Sequence, residues 1–91
     1  MPYAPAMAIV RLRGPLGKLA GGPEHELDGA TVSEVLQALE REHSALEGWV
    51  LDERGVIRRH INVFVSSEPA TAETPVGADD RIEILPAISG G

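Results

Sequence analysis

The stretch Arg81-Ile82-Glu83-Ile84-Leu85-Pro86-Ala87-Ile88-Ser89-Gly90-Gly91 decides the fold. Ile82 and Ile84 point one way and Arg81, Glu83 and Leu85 the other, the period-2 alternation of a half-buried strand. Pro86 lacks a backbone N–H and blocks further sheet pairing. Residues 87–91 are small or apolar and end on Gly90-Gly91. A tail anchored by a core strand, released by proline and ending in two glycines can present its terminal carboxylate away from the body; the alternative is an ordinary frayed end, since chain ends are often rich in small residues. Having no Cβ, the glycines pass a narrow slot and let another backbone approach closely.

Upstream, Met7-Ala8-Ile9-Val10-Arg11-Leu12-Arg13 alternates in the same way, with Ala8, Val10 and Leu12 on one face and Ile9, Arg11 and Arg13 on the other. Gly14-Pro15 ends it, and residues 14–23 form a glycine-rich loop with Leu16 and Leu19 folded back on the core. Glu24-His25-Glu26-Leu27-Asp28 is a short charged edge strand, paired with the first as a hairpin. His25 shares the Leu27 face and serves packing. Thr31 and Glu34 fit a capping box, and Val32, Val35, Leu36 and Leu39 make one apolar stripe of a helix ending near His43 or Ser44. Glu40, Arg41 and Glu42 then face water. Leu46, Trp49 and Val50 are spaced for a further short helix that buries the only tryptophan, although Gly48 weakens it. His60-Ile61-Asn62-Val63-Phe64-Val65-Ser66 is the most β-prone run, with Ile61, Val63 and Val65 directed to the core. Ser67-Glu68-Pro69 is expected as a turn, residues 70–74 as a short edge strand and 76–80 as a loop.

The order strand, strand, helix, further strands predicts an α+β domain: a small mixed β-sheet with one main helix packed on one face. The expected division is a leader at 1–6, the domain at 7–86 and the tail at 87–91. If the first and last strands are adjacent at the sheet centre, their inward faces, Val10, Leu12, Ile82 and Ile84, meet Leu36 and Leu39. The opposite face carries Ile9, Arg11, Arg13, Asn62, Phe64, Arg81, Glu83 and Leu85. Ile9, Phe64 and Leu85 have no second layer above them. They are either a docking patch at the root of the tail or scattered surface residues.

Composition excludes several classes. The chain has 91 residues, 43% hydrophobic and 24% charged, which suits one folded domain. A net charge of −6 with eight Lys and Arg argues against nucleic acid and suits a basic protein partner. No apolar run approaches the roughly 20 residues of a membrane span, and residues 1–6 do not form a secretory signal. Without cysteine there is no thiolate metal site or cysteine nucleophile, a composition compatible with a cytoplasmic location. His25, His43 and His60 are too far apart for a short metal-ligand motif, so no metal is expected. No nucleophile–base pair is visible, so the chain is not expected to be an enzyme.

The hairpin, capped helix, further strands and Gly-Gly tail resemble the ubiquitin-like β-grasp fold. Ile84-Leu85-Pro86-Ala87-Ile88-Ser89-Gly90-Gly91 resembles the endings of the prokaryotic sulfur carriers of the MoaD and ThiS group. With Arg59-His60-Ile61-Asn62-Val63-Phe64-Val65, it is most similar to the CysO type of cysteine biosynthesis. The resemblance implies that an E1-like enzyme uses ATP to adenylate the Gly91 carboxylate, and that a sulfur donor then displaces AMP to leave a thiocarboxylate. Gly90 and Gly91 are the working residues. Ile9, Arg11, Arg13, Phe64, Leu85, Pro86, Ala87, Ile88 and Ser89 are the expected partner contacts. The carrier itself holds no cofactor, because the ATP chemistry belongs to the activator. A CysO-type carrier would pass sulfur to a PLP-dependent synthase. Two alternatives stay open: the small subunit of molybdopterin synthase, and a conjugation module joining Gly91 to a target lysine. With one lysine, Lys18, chains built on itself are not expected.

Overall fold

A computed structural model describes residues 7–77 and 80–86. The leader at 1–6, residues 78–79 of the last loop, and Ala87, Ile88, Ser89, Gly90 and Gly91 lie outside the described residues. Strand β1 (Met7–Leu12) is followed by a short helix α1 (Pro15–Leu19), strand β2 (Glu24–Asp28) and the main helix α2 (Val32–Glu42). A 3-10 turn (Ser44–Leu46) leads on to strands β3 (Ile61–Val65), β4 (Glu68–Pro69) and β5 (Arg81–Pro86).

The described strands form one mixed sheet in the order β2-β1-β5-β3-β4. At its centre β5 runs parallel to β1, with Val10 opposite Ile82 and Leu12 opposite Ile84. Its other side is antiparallel to β3, where Val63 meets Ile84. The antiparallel β1–β2 hairpin leaves charged β2 at the edge. Ala8, Val10, Leu12, Leu27, Ile61, Val63, Ile82 and Ile84 join one buried cluster with Val32, Val35, Leu36 and Leu39 of α2. All four of those helix residues are 0% exposed, so the 3.6-residue stripe is the face that packs on the sheet.

The start of α2 is held from three sides. Thr31 Oγ1 accepts from the Glu34 N–H at 3.3 Å, while Glu34 Oε1 reaches back to the Ala30 N–H at 2.8 Å. That is one residue before the N-cap, a displaced version of the expected box. The remaining help comes from residues expected to form an edge strand. Instead, residues 70–76 cross the N-terminal end of α2: Ala72 O accepts from Ser33 N and Thr74 O from Val32 N, at 2.9 and 3.0 Å. These carbonyls satisfy first-turn N–H groups that no helix can pair internally.

Other expectations are corrected. The 14–23 loop contains α1, because Pro15 at its first turn has the backbone angle a helix start needs; Leu16 is buried and Leu19 packs on the core as expected. Glu68 and Pro69 are not a turn but β4, paired with Val65 and Phe64. The turn lies one step earlier, at Ser66 and Ser67, whose φ of 50° and 73° suit a tight hairpin connection. The second helix after α2 shrinks to the 3-10 turn. Gly48 at φ +84° redirects the chain, so Leu46 and Val50 are buried while Trp49 is 50% exposed. Glu40, expected to face water, accepts from the backbone N–H groups of Val50 and Leu51 at 3.0 and 2.9 Å.

Asp52 organises the turn that follows. The Arg54 guanidinium at 2.8 Å and the Val56 and Arg54 N–H groups hold its carboxyl down to about 2. Because the folded value lies below the unfolded one, this carboxylate adds stability in full above an ordinary aspartate pKa of about 4. That contribution is lost as pH falls from there towards 2. Asp52→Asn is therefore expected to flatten the acid limb of a stability–pH curve over this range while changing its shape little at neutral pH, read by urea denaturation. Leu36→Ala is expected to cost about 2–5 kcal/mol in the same assay; a near-neutral result would place a different helix face against the sheet.

Candidate functional site

The site is built around the end of β5. Pro86 is half-buried opposite Ile61, the first residue of β3. On the other side, Arg13 N–H donates to Ile84 O at 3.0 Å and carries the ladder one step past β1. Gly14 then turns at φ +63°, and a Cβ there would lie 3.7 Å from the Pro86 ring. The point where the chain leaves the sheet is thus set between the β1–α1 connection and the start of β3. Ala87, Ile88, Ser89, Gly90 and Gly91, which carry the expected chemistry, follow it outside the described residues.

The face away from α2 is a ladder of charges. One rung runs Glu26, Ile9, Arg81 across β2, β1 and β5. The next runs Glu24, Arg11, Glu83, Phe64, Pro69 and reaches β4. A third sets Leu85 opposite Asn62. Arg11 Nε donates to Glu24 Oε2 at 3.3 Å, and Arg13 donates to Glu83 Oε2 at 2.9 Å. These exposed pairs contribute about 0–1 kcal/mol each. Their main consequence is geometric: they divide the apolar residues.

Ile9 lies between Glu26 and Arg81 and does not join Phe64 and Leu85, so the three do not form one continuous patch. Phe64 and Leu85 are diagonal neighbours on β3 and β5, half-buried rather than fully open. Arg11 and Arg13 flank them through Glu83. What the structure brings to the root of the tail is Phe64, Leu85, Pro86 and Arg13, with Arg11 one strand away and Ile9 beyond it. The period-2 alternation gave the correct face for Ile9, Arg11, Arg13, Phe64 and Leu85. Their adjacency needed the strand order, and no local signal supplied it. The contact of Gly14 with Pro86 was equally hidden, since the two are joined only by the parallel pairing of β1 and β5.

His25 is half-buried, hydrogen-bonded to Gly22 O at 2.9 Å, and its ring centroid lies 4.4 Å from that of His43 at the end of α2. It closes the seam between β2 and α2. Among the described residues no three His, Cys, Asp or Glu side chains are grouped to hold a metal ion. No described helix is long and apolar enough to cross a membrane.

Comparison with known proteins agrees with this geometry. The model of the ThiS family matches residues 10–91. The small archaeal modifier protein 1 of Haloferax volcanii is 39% identical over 67 residues, 72% of this chain and 77% of that protein. Its crystal structure superposes with a TM-score of 0.85 at 33% identity, covering 93% of this chain and 99% of the other. A chain of the Amycolatopsis orientalis BexX/CysO complex gives a TM-score of 0.81 at 31% identity, covering 92% and 99%. The fold is therefore the ubiquitin-like β-grasp, a five-stranded mixed sheet with one main helix.

Phe64→Ala is expected to destabilise the domain by less than the roughly 3 kcal/mol at which core phenylalanine truncations begin. A larger loss in urea denaturation would place the ring in the core instead of on the outer face.

Proposed function

The chain belongs to the ThiS family of small ubiquitin-like carriers, proteins that are acted on rather than catalysts, and from that membership we propose that Gly91 is its working residue. An E1-like enzyme adenylates the Gly91 carboxylate: a carboxylate oxygen attacks the α-phosphorus of ATP and pyrophosphate leaves. A sulfur donor then displaces AMP, leaving a thiocarboxylate. Gly90 and Gly91 have no side chain to obstruct threading or attack. ATP is bound by the activator, and this chain contributes the acyl group alone.

The observation that carries the proposal is the position of Pro86. It ends the central strand and is held between Gly14 and Ile61, which supports a reading in which the sequence that follows starts from a fixed point of the domain. Phe64, Leu85 and the Arg11–Arg13 ladder supply the partner surface beside it. Sulfur is delivered into biosynthesis, with cysteine or a related sulfur metabolite as the product and a PLP-dependent synthase as acceptor. The likeness to the chain of the BexX/CysO complex supports this branch.

The likeness to an archaeal modifier protein favours a second use of the same activated group, in which a lysine amine of a target protein attacks the adenylate, AMP leaves with loss of the amine proton, and an isopeptide bond forms. Both uses share the first step and diverge at the nucleophile.

Intact mass spectrometry after incubation with ATP, a sulfur donor and the host's E1-like enzyme is expected to show one oxygen replaced by sulfur at Gly91. Deleting Gly91, or adding one residue after it, is expected to abolish the shift while the melting temperature stays unchanged. No shift with an activator proven on another carrier would overturn the sulfur role, and lysine adducts in cell extract would then select conjugation.

A further inference from the structure

Trp49 is the only tryptophan of the chain and is 50% exposed, although Leu46 and Val50 beside it are completely buried. Its loop is held firmly. Trp49 N–H donates to Leu46 O at 2.8 Å, and Arg58 N–H donates to Val50 O at 2.9 Å. Glu40 accepts from Val50 and Leu51 on the far side, and the Arg58 guanidinium donates to Gly48 O. Exposure of the indole is therefore built into the fold and is not the fraying of an end. A pre-ordered aromatic side chain offers a partner a large contact area at small entropic cost.

The surroundings select the partner's chemistry. The hollow that begins at Gly48 carries the carboxylates of Glu40, Glu47, Asp52 and Glu53 against one guanidinium, that of Arg58. Glu40, Asp52 and Arg58 are occupied by the loop's own hydrogen bonds. Glu47 and Glu53 are exposed and form none of the ion pairs among the described residues. An exposed indole in the same loop as two open carboxylates, two residues after Glu47 and four before Glu53, gives a cation both a ring face and opposite charge to meet, and a net charge of −6 favours its approach.

The location selects which partner. Arg58 O accepts from Ile61 N–H at 3.0 Å, and Ile61 is paired with Pro86. The Trp49 loop and the root of the tail therefore lie at the same end of the sheet. We propose that Trp49, Glu47 and Glu53 form a docking point for an arginine- or lysine-bearing segment of the activating enzyme, a cation lying over the indole. This rests on the Gly91 reading above and adds a second contact that holds the domain while the tail is engaged.

The test uses the full chain labelled with 5-fluorotryptophan, which gives one ¹⁹F resonance because there is one tryptophan. Titration with the E1-like enzyme at low salt is expected to shift or broaden that signal, and 0.5 M salt to reverse most of the change, since exposed charges are then screened. In the loading assay, Trp49→Ala and the double variant Glu47→Gln/Glu53→Gln are each expected to raise KM for the chain roughly tenfold with kcat unchanged. Both variants are expected to keep the wild-type melting temperature. An unmoved resonance at enzyme concentrations that saturate wild-type loading would overturn the docking point while leaving the Gly91 chemistry intact. Failure of the wild type to load at all would overturn the chemistry instead. A concentration-dependent shift without the enzyme would assign Trp49 to contact between copies and also overturn the proposal.

Discussion

The root of the tail depends on β5 being paired on both sides. A strand with one neighbour can fray or slip. One with β1 in parallel and β3 antiparallel has its N–H and C=O groups committed in both directions, and its Ile82 and Ile84 are sealed under α2. A one-residue slip would turn both isoleucines to solvent. The position of Pro86 is consequently as firm as the core itself. Proline at the last position of a strand then ends the ladder without leaving an N–H unpaired.

The same sheet separates two tasks. Its inner face is apolar apart from half-buried His25 at the β2 edge, and among the described residues no polar or charged side chain is fully buried. Its outer face alternates guanidinium and carboxylate across the strands, with Phe64 and Leu85 set among them. Alternation of side chains lets one backbone ladder serve both faces. Stability resides in the inner face, and the outer one is available for recognition.

The helix side shows how a small domain satisfies backbone groups with little secondary structure to spare. The segment at 70–76 lends carbonyls to the first turn of α2, and Glu40 near its other end receives N–H groups from the loop at 48–51. Both lie on non-local contacts that tie irregular segments to the one large helix. The Trp49 loop owes its fixed, outward geometry to this arrangement.

The sequence by itself determined the elements whose cause is local. The stripe Val32, Val35, Leu36, Leu39, the alternation in β1, β3 and β5, and the Thr31–Glu34 cap follow from periodicity and short-range hydrogen bonding. They were legible for that reason, as were the choice of core face and the Gly-Gly ending. Tertiary structure decided what depends on residues distant in sequence. The strand order split Ile9 from Phe64 and Leu85 by placing charged rungs between them. The first turn of α2 drew residues 71–74 away from a sheet edge, because unpaired helix N–H groups needed acceptors. Glu40 turned from water to the loop, and Gly48 turned Trp49 outward, because Leu46 and Val50 had already filled the core. A period reports which way a side chain faces; only the packed fold reports what it meets there.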